Sequence, residues 1–158
     1  KDMGCYEGAT MIKTFRGLIA DDTQDTIVLH TNDGSTGYRI AKFEIITTTP
    51  VTVTTEAVMK IWKVSQTTIT TSIDFSDQTL LAAAVWASNA SADVNPFNSS
   101  VIFDKEIFNQ DIYVTFMTGV GSAKCNYYIE LEQVKLDLSE STVATLKDIR
   151  NELRIPPG

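Results

Sequence analysis

Short runs of alternating apolar and polar residues, cut apart by polar turn clusters, fill most of the chain and restrict its fold more than any other feature. Alternation has period two, and in a strand it sends successive side chains to opposite faces. The runs are MIKTFRGLIA, TIVLHT, YRIAKFEII, VTVTTEAVMKIWKV, TTITTSIDF, LLAAAVWAS, SVIFDKEIF, DIYVTFMT and NYYIELEQVKLDL. Between them stand DDTQD, NDGSTG, TTTP, SNASADVNPFNSS and GVGSAKC, rich in the residues that form turns. Thr is the commonest residue, ahead of Ile, and β-branched side chains lose χ1 freedom in helices but pack well on a pleated surface. Eight or nine short strands so spaced predict an all-β chain, an antiparallel two-sheet sandwich with a jelly roll as the expected form.

Several local readings follow. Asp33-Gly34 supplies the φ > 0 geometry of a tight hairpin between TIVLHT and YRIAKFEII. In the latter, Ala41, Phe43 and Ile45 fall on one face, and Lys42 and Glu44 on the other. The next run loses phase around Thr55–Ala57, which predicts a bulge or a break. TTITTSIDF alternates most cleanly, with Ile69, Thr71, Ile73 and Phe75 on one side. LLAAAVWAS does not alternate and fits either a strand buried on both faces or a short helix; Trp86 within it is assigned to the core. Residues 88–100 read as an exposed loop, and SVIFDKEIF with DIYVTFMT as a hairpin across Asn109-Gln110. In the last run Tyr127, Ile129 and Leu131 share a face, whereas Val134, Leu136 and Leu138 take the other, so a bulge near Gln133 or a strand that leaves one sheet for another is expected.

After that strand the pattern changes. Ser139 or Ser141 can cap a helix, Val143, Leu146, Ile149 and Leu153 recur at spacings of three and four, and Pro156-Pro157 ends the run. A stripe of four apolar residues makes a helix that is marginal alone and must dock on its own sheet or on a neighbouring subunit. The organisation expected is an N-terminal arm over 1–10, a β-sandwich domain over 11–138 and a C-terminal helical arm over 139–158.

Composition narrows function mostly by exclusion. A net charge of −7 with scattered basic residues does not suit a protein that tracks phosphates, so no nucleic-acid partner is expected, nor a membrane surface. The longest apolar run, Leu80 to Ala87, is far below the ~20 residues that span a bilayer, and no charged-then-apolar leader pattern stands ahead of the domain. One histidine, His30, on a strand next to a turn, is a poor basis for nucleophilic catalysis, and Cys5, Cys125 and His30 are too few and scattered for zinc. Asp21, Asp22, Asp25, Asn32 and Asp33 offer oxygen ligands without a calcium-loop spacing. Glu130 and Glu132 sit two apart on one strand face, the solvated one. The expectation is therefore a protein that is not an enzyme and needs no cofactor or metal. Among the aromatics, Trp62 is the candidate for an exposed or interfacial ring, and Phe97, an apolar residue in a polar loop, for contact with a partner.

The segments GYRIAKFEII, VMKIWKV, FNQDIYVT and NYYIELEQVKLDLSESTVATLKDIRN resemble small, largely uncharacterised virion structural proteins of marine tailed phages. The similarity in pattern runs from about Met11 to Glu152, with residues 1–10 outside it, and transfers no functional residues. It implies a component of the virion, first of all a capsid decoration or cement protein that stabilises the shell through homo-oligomeric contacts. Its implied partners are further copies of itself, as a homotrimer or ring, and the major capsid protein or tail proteins. The alternatives are a tail, neck or fibre-attachment component, and a carbohydrate-binding module using Trp62 and Phe97.

Overall fold

The computed structural model describes residues 11–29, 34–91 and 95–136. The expected arms at 1–10 and 139–158, with Val143, Leu146, Ile149 and Leu153, lie outside the described residues, as do Cys5, His30, Asn32 and Asp33. Eight strands are described: β1 (Ile12–Ile19), β2 (Thr23–Ile27), β3 (Thr36–Thr47), β4 (Thr55–Trp62), β5 (Leu80–Ser88), β6 (Phe97–Ile102), β7 (Ile112–Val120) and β8 (Cys125–Lys135). They form two antiparallel sheets, one of three strands in the order β1-β8-β3 and one of five in the order β2-β7-β4-β5-β6. Among the described residues there is no helix.

The core lies between the sheets, and alternation decides what enters it. Cys125, Tyr127, Ile129 and Leu131 of β8 face Met59 and Ile61 of β4, Ala84 and Trp86 of β5, and Val114 and Phe116 of β7 across one buried cluster. Each fully buried Val, Leu, Ile or Phe contributes roughly 1.5–3 kcal/mol by leaving water, which makes this layer the main source of stability. A hydrogen bond ties the two sheets where their edges overlie: Tyr127 on β8 donates its hydroxyl to Asp25 on β2 at 3.0 Å. The side chain reaches that carboxylate by passing under Gly17, where an added Cβ would stand 2.6 Å from the Tyr127 oxygen.

Corners are made by local chemistry. The step from β1 to β2 takes Asp22 through φ 54°, a left-handed conformation that a short Asp side chain tolerates. Its neighbour Asp21 accepts the backbone N–H of Thr118 at 2.8 Å and so fastens the turn to β7. Between β7 and β8, Gly121 adopts φ +87°, and any Cβ there would lie 2.7 Å from the Thr54 carbonyl.

Several expectations are met in detail and others are corrected. The register of β4 against β7 shifts between Glu56 and Ala57, inside the stretch where the sequence loses phase. LLAAAVWAS is a strand, buried on both faces along most of its length, with Trp86 in the core. Neither a bulge near Gln133 nor a change of sheet is found in β8, which keeps continuous register with β3 from Leu131 through Lys135. The register of β3 against β8 shifts between Ile40 and Lys42, which leaves Ala41 as the extra, exposed residue. Tyr38 and Ile40 point inward before that shift, and Phe43 and Ile45 after it, so one inserted residue reverses the parity of the strand.

Neither expected hairpin forms. β2 pairs with β7 and β3 with β8, so the chain changes sheet across the Gly34 turn. β6 pairs with β5, and β7 with β4 and β2, so the segment through Asn109 also joins strands that do not pair with each other. The expected loop over 88–100 is shorter, because β6 already begins at Phe97. The largest correction concerns TTITTSIDF, which is not a strand. Residues 63–79 form an irregular strap across the outer face of the five-stranded sheet, held by local turns. Asp74 accepts the Ser76 N–H and hydroxyl, and Asp77 accepts those of Thr79. Such Asx turns bend the backbone and take it out of competition for a ladder.

Candidate functional site

The two outer faces are the surfaces on which a function can be sought, and strand parity writes the residues of each. On the three-stranded sheet, Ile12, Thr14, Arg16 and Leu18 of β1 stand beside Glu132, Glu130, Tyr128 and Asn126 of β8. Arg39, Lys42, Glu44 and Ile46 of β3 lie on the other side of β8. The charges pair among themselves: Arg39 with Glu132, and Lys42 with Glu44 at 3.7 Å. Tyr128 donates to Glu130 at 2.8 Å, and that bond to a carboxylate raises the phenol above its ordinary range. Glu130 and Glu132, considered for paired-acid chemistry, are thus occupied by a tyrosine and an arginine. An open groove of about 530 Å³ runs over this face, lined by Arg16, Glu44, Ile46, Asn126 and Tyr128.

The outer face of the five-stranded sheet is divided. Its lower half lies under the strap. There Trp62 is only 8% exposed, which corrects the expectation of a surface or interfacial ring. Its indole N–H donates to the Thr115 hydroxyl at 2.9 Å, while the Lys60 ammonium stands 5.1 Å from the ring centre. Lys60 is itself buried and donates to the Ser72 carbonyl at 2.7 Å. Burial lowers its pKa, and nearby Asp77 partly opposes the shift. Lys63, also buried, pairs with Glu106 at 2.9 Å. This half-face is polar chemistry in structural service: Lys60 is committed to the strap, Trp62 to β7 and Lys63 to Glu106.

The upper half is open. Phe97, on edge strand β6, is 60% exposed, in keeping with its assignment as a contact residue. By register it lies opposite Ala87, Ser99 lies opposite Val85, Val101 opposite Ala83, and Val58 opposite Val85 from the other side. Val101 is 41% exposed. Two residues beyond it the Phe103 ring packs edge-on against Phe75 at 5.4 Å, and Phe75 is 54% exposed. Sequence reading found Phe97 through its polar surroundings. It missed Val101 and Phe75, whose exposure depends on which strand ends the sheet and where the strap stops.

The described residues include no group of three His, Cys, Asp or Glu side chains gathered as metal ligands. Cys125 is buried at the start of β8, and burial pushes its thiol up to about 12, which removes thiolate reactivity near neutral pH. No described helix is long and apolar enough to cross a membrane. What fold and surface define together is an all-β two-sheet sandwich with one charged outer face and one partly apolar one. No family model matches the chain, no curated protein matches it, and no solved structure matches its fold.

Proposed function

We propose that the chain is a non-enzymatic structural protein of a phage virion, a capsid decoration or cement protein that acts through homo-oligomeric contacts. The observation that carries this reading is the strand arrangement. β1-β8-β3 lies over β2-β7-β4-β5, the order expected when a chain is wound as a jelly roll, with β6 added to the larger sheet. Jelly rolls recur in viral capsid proteins and in lectin domains. The resemblance to small virion proteins of tailed phages favours the first of these. The exposed apolar surface around Phe97 favours a protein that meets other proteins. With Trp62 under the strap, the carbohydrate reading loses one of its two rings. In this reading residues 139–158 form the helical arm, and Val143, Leu146, Ile149 and Leu153 complete their burial at an interface.

The test is native mass by light scattering over a hundredfold concentration range. A stable homotrimer is expected, as decoration at threefold positions requires. A ring of six or twelve would move the protein to the neck or tail, and a monomer throughout would overturn the oligomeric role.

A further inference from the structure

We propose that the open half of the five-stranded sheet's outer face is a socket for residues 141–153 of a second copy of the chain, an assignment that rests on the oligomeric reading above. The socket is the surface of Val58, Val85, Phe97 and Val101, bounded below by Phe75. An exposed edge strand is ordinarily protected by charges, prolines or bulges. β6, FNSSVI, carries none of these within its six residues and shows Phe97 and Val101, at i and i+4, on the outer face, while Ile102 packs against the core. A soluble surface that leaves such a row uncovered marks a contact.

The occupant is argued from length and from where the described chain stops. Beyond Leu136 remain residues 137–158. Their one apolar pattern is Val143, Leu146, Ile149 and Leu153, at helical spacing. A helix over 141–153 would be roughly 20 Å long at about 1.5 Å per residue. Strand β6, at about 3.3 Å per residue, presents a row of roughly the same 20 Å. Helix-on-sheet packing of this kind buries the stripe of one against the face of the other, which is how marginal helices are stabilised.

Direction favours the second copy over the chain's own arm. Leu136 leaves from the end of β8, in the three-stranded sheet, where it packs on Gly37 and donates its N–H to Ser35. The socket lies on the opposite outer face. A plug issuing from one sheet and a socket on the other make a head-to-tail contact, which closes into a ring when the rotation allows.

The experiment uses full-length chains. One variant carries Phe97→Asp and Val101→Asp, the other Leu146→Asp and Ile149→Asp, with circular dichroism confirming that both retain the β-sheet spectrum and cooperative melt of the parent. Each alone should run as a monomer under conditions where the parent is an oligomer. Mixed one to one, they should form a heterodimer, because one partner still has a plug and the other a socket. An oligomer that survives the Phe97/Val101 change overturns the socket and leaves the oligomeric reading standing. A mixture that stays monomeric overturns docking between copies. A monomeric parent overturns both readings.

Discussion

The two outer faces of this sandwich meet solvent in opposite ways. The face of the three-stranded sheet carries charges that neutralise one another, Arg39 with Glu132 across neighbouring strands and Lys42 with Glu44 along β3. The face of the five-stranded sheet gives up half its area to a strap that covers Trp62 and Lys60, and leaves the other half apolar. The charged face exposes Ile12, Leu18 and Ile46 as well, but each stands beside a polar residue of β8, Glu132 for Ile12 and Asn126 for the other two. A face that is half sealed and half apolar has structure below and an unmet contact above, which is why the functional argument settles there.

The largest expected effect tests the sealed half. Trp62→Ala removes an indole packed beneath the strap and leaves the Thr115 hydroxyl without its donor. Truncation of a large buried aromatic costs about 3–5 kcal/mol, read as a fall in the denaturation midpoint at unchanged slope. Phe97→Ala, on the same face but in the open half, should move stability by less than about 0.5 kcal/mol. Equal effects at the two positions would mean that the face is not divided.

The second prediction concerns the inner side of the three-stranded sheet, from which that sheet draws its hold. Gly17→Ala places a methyl group 2.6 Å from the Tyr127 hydroxyl and must displace the ring from Asp25. Overpacking of this kind costs about 1–3 kcal/mol. Tyr127→Phe, which removes only the hydroxyl, should cost less, and a Gly17→Ala variant as stable as the parent would show that the ring does not need that passage.

Sequence pattern reached the strands and not their partners. Alternation in β8 and the phase loss at Glu56 and Ala57 are local signals, carried by side chains within a few residues, and both are reflected in the fold. The irregularity read near Gln133 does not form in β8, and the bulge that does form, at Ala41 of β3, gave no local sign because Ala41 alternates in phase with Phe43 and Ile45. Pairing is non-local, so hairpins drawn between consecutive strands were misplaced wherever the chain changes sheet. TTITTSIDF misled for a related reason: its alternation permits a strand, but Asp74-Ser76 and Asp77-Thr79 bend the segment out of a ladder. Phe97 was legible because a phenylalanine among Asn, Ser and Pro is a local anomaly. Trp62 was not, because the strap that covers it is made by the residues taken for a strand.

The third prediction sets the sheets against each other in alkaline solution. Cys125, on the inner side of the three-stranded sheet, keeps its proton to about 12 in the folded protein, against an ordinary value of 9.0. Above pH 9 the unfolded chain releases that proton and the folded one does not, so stability falls, by about 1 kcal/mol at pH 10. Lys60, on the outer side of the five-stranded sheet, runs the other way. Its pKa lies below 10.5, so between that lowered value and 10.5 the unfolded chain binds more protons and stability rises with pH. Cys125→Ala should flatten the alkaline loss, whereas Lys60→Met should steepen it. Urea titrations at pH 8, 9 and 10 separate the two, and changes of slope in the same direction from the parent in both variants would overturn the placement of one of these groups.

The smallest expected effect falls on the charged face. Arg39→Ala breaks the ion pair with Glu132, but both side chains retain access to water, at 43% and 20% exposure. Exposed pairs of this kind contribute about 0–1 kcal/mol, because water solvates the charges nearly as well when they are apart. A double-mutant cycle with Glu132→Ala isolates the coupling, and raising the salt concentration should shrink it further. A coupling of several kcal/mol would require that the face is covered in solution rather than open. It would then be an interface like the one assigned to Phe97, and the contrast between the two faces would vanish.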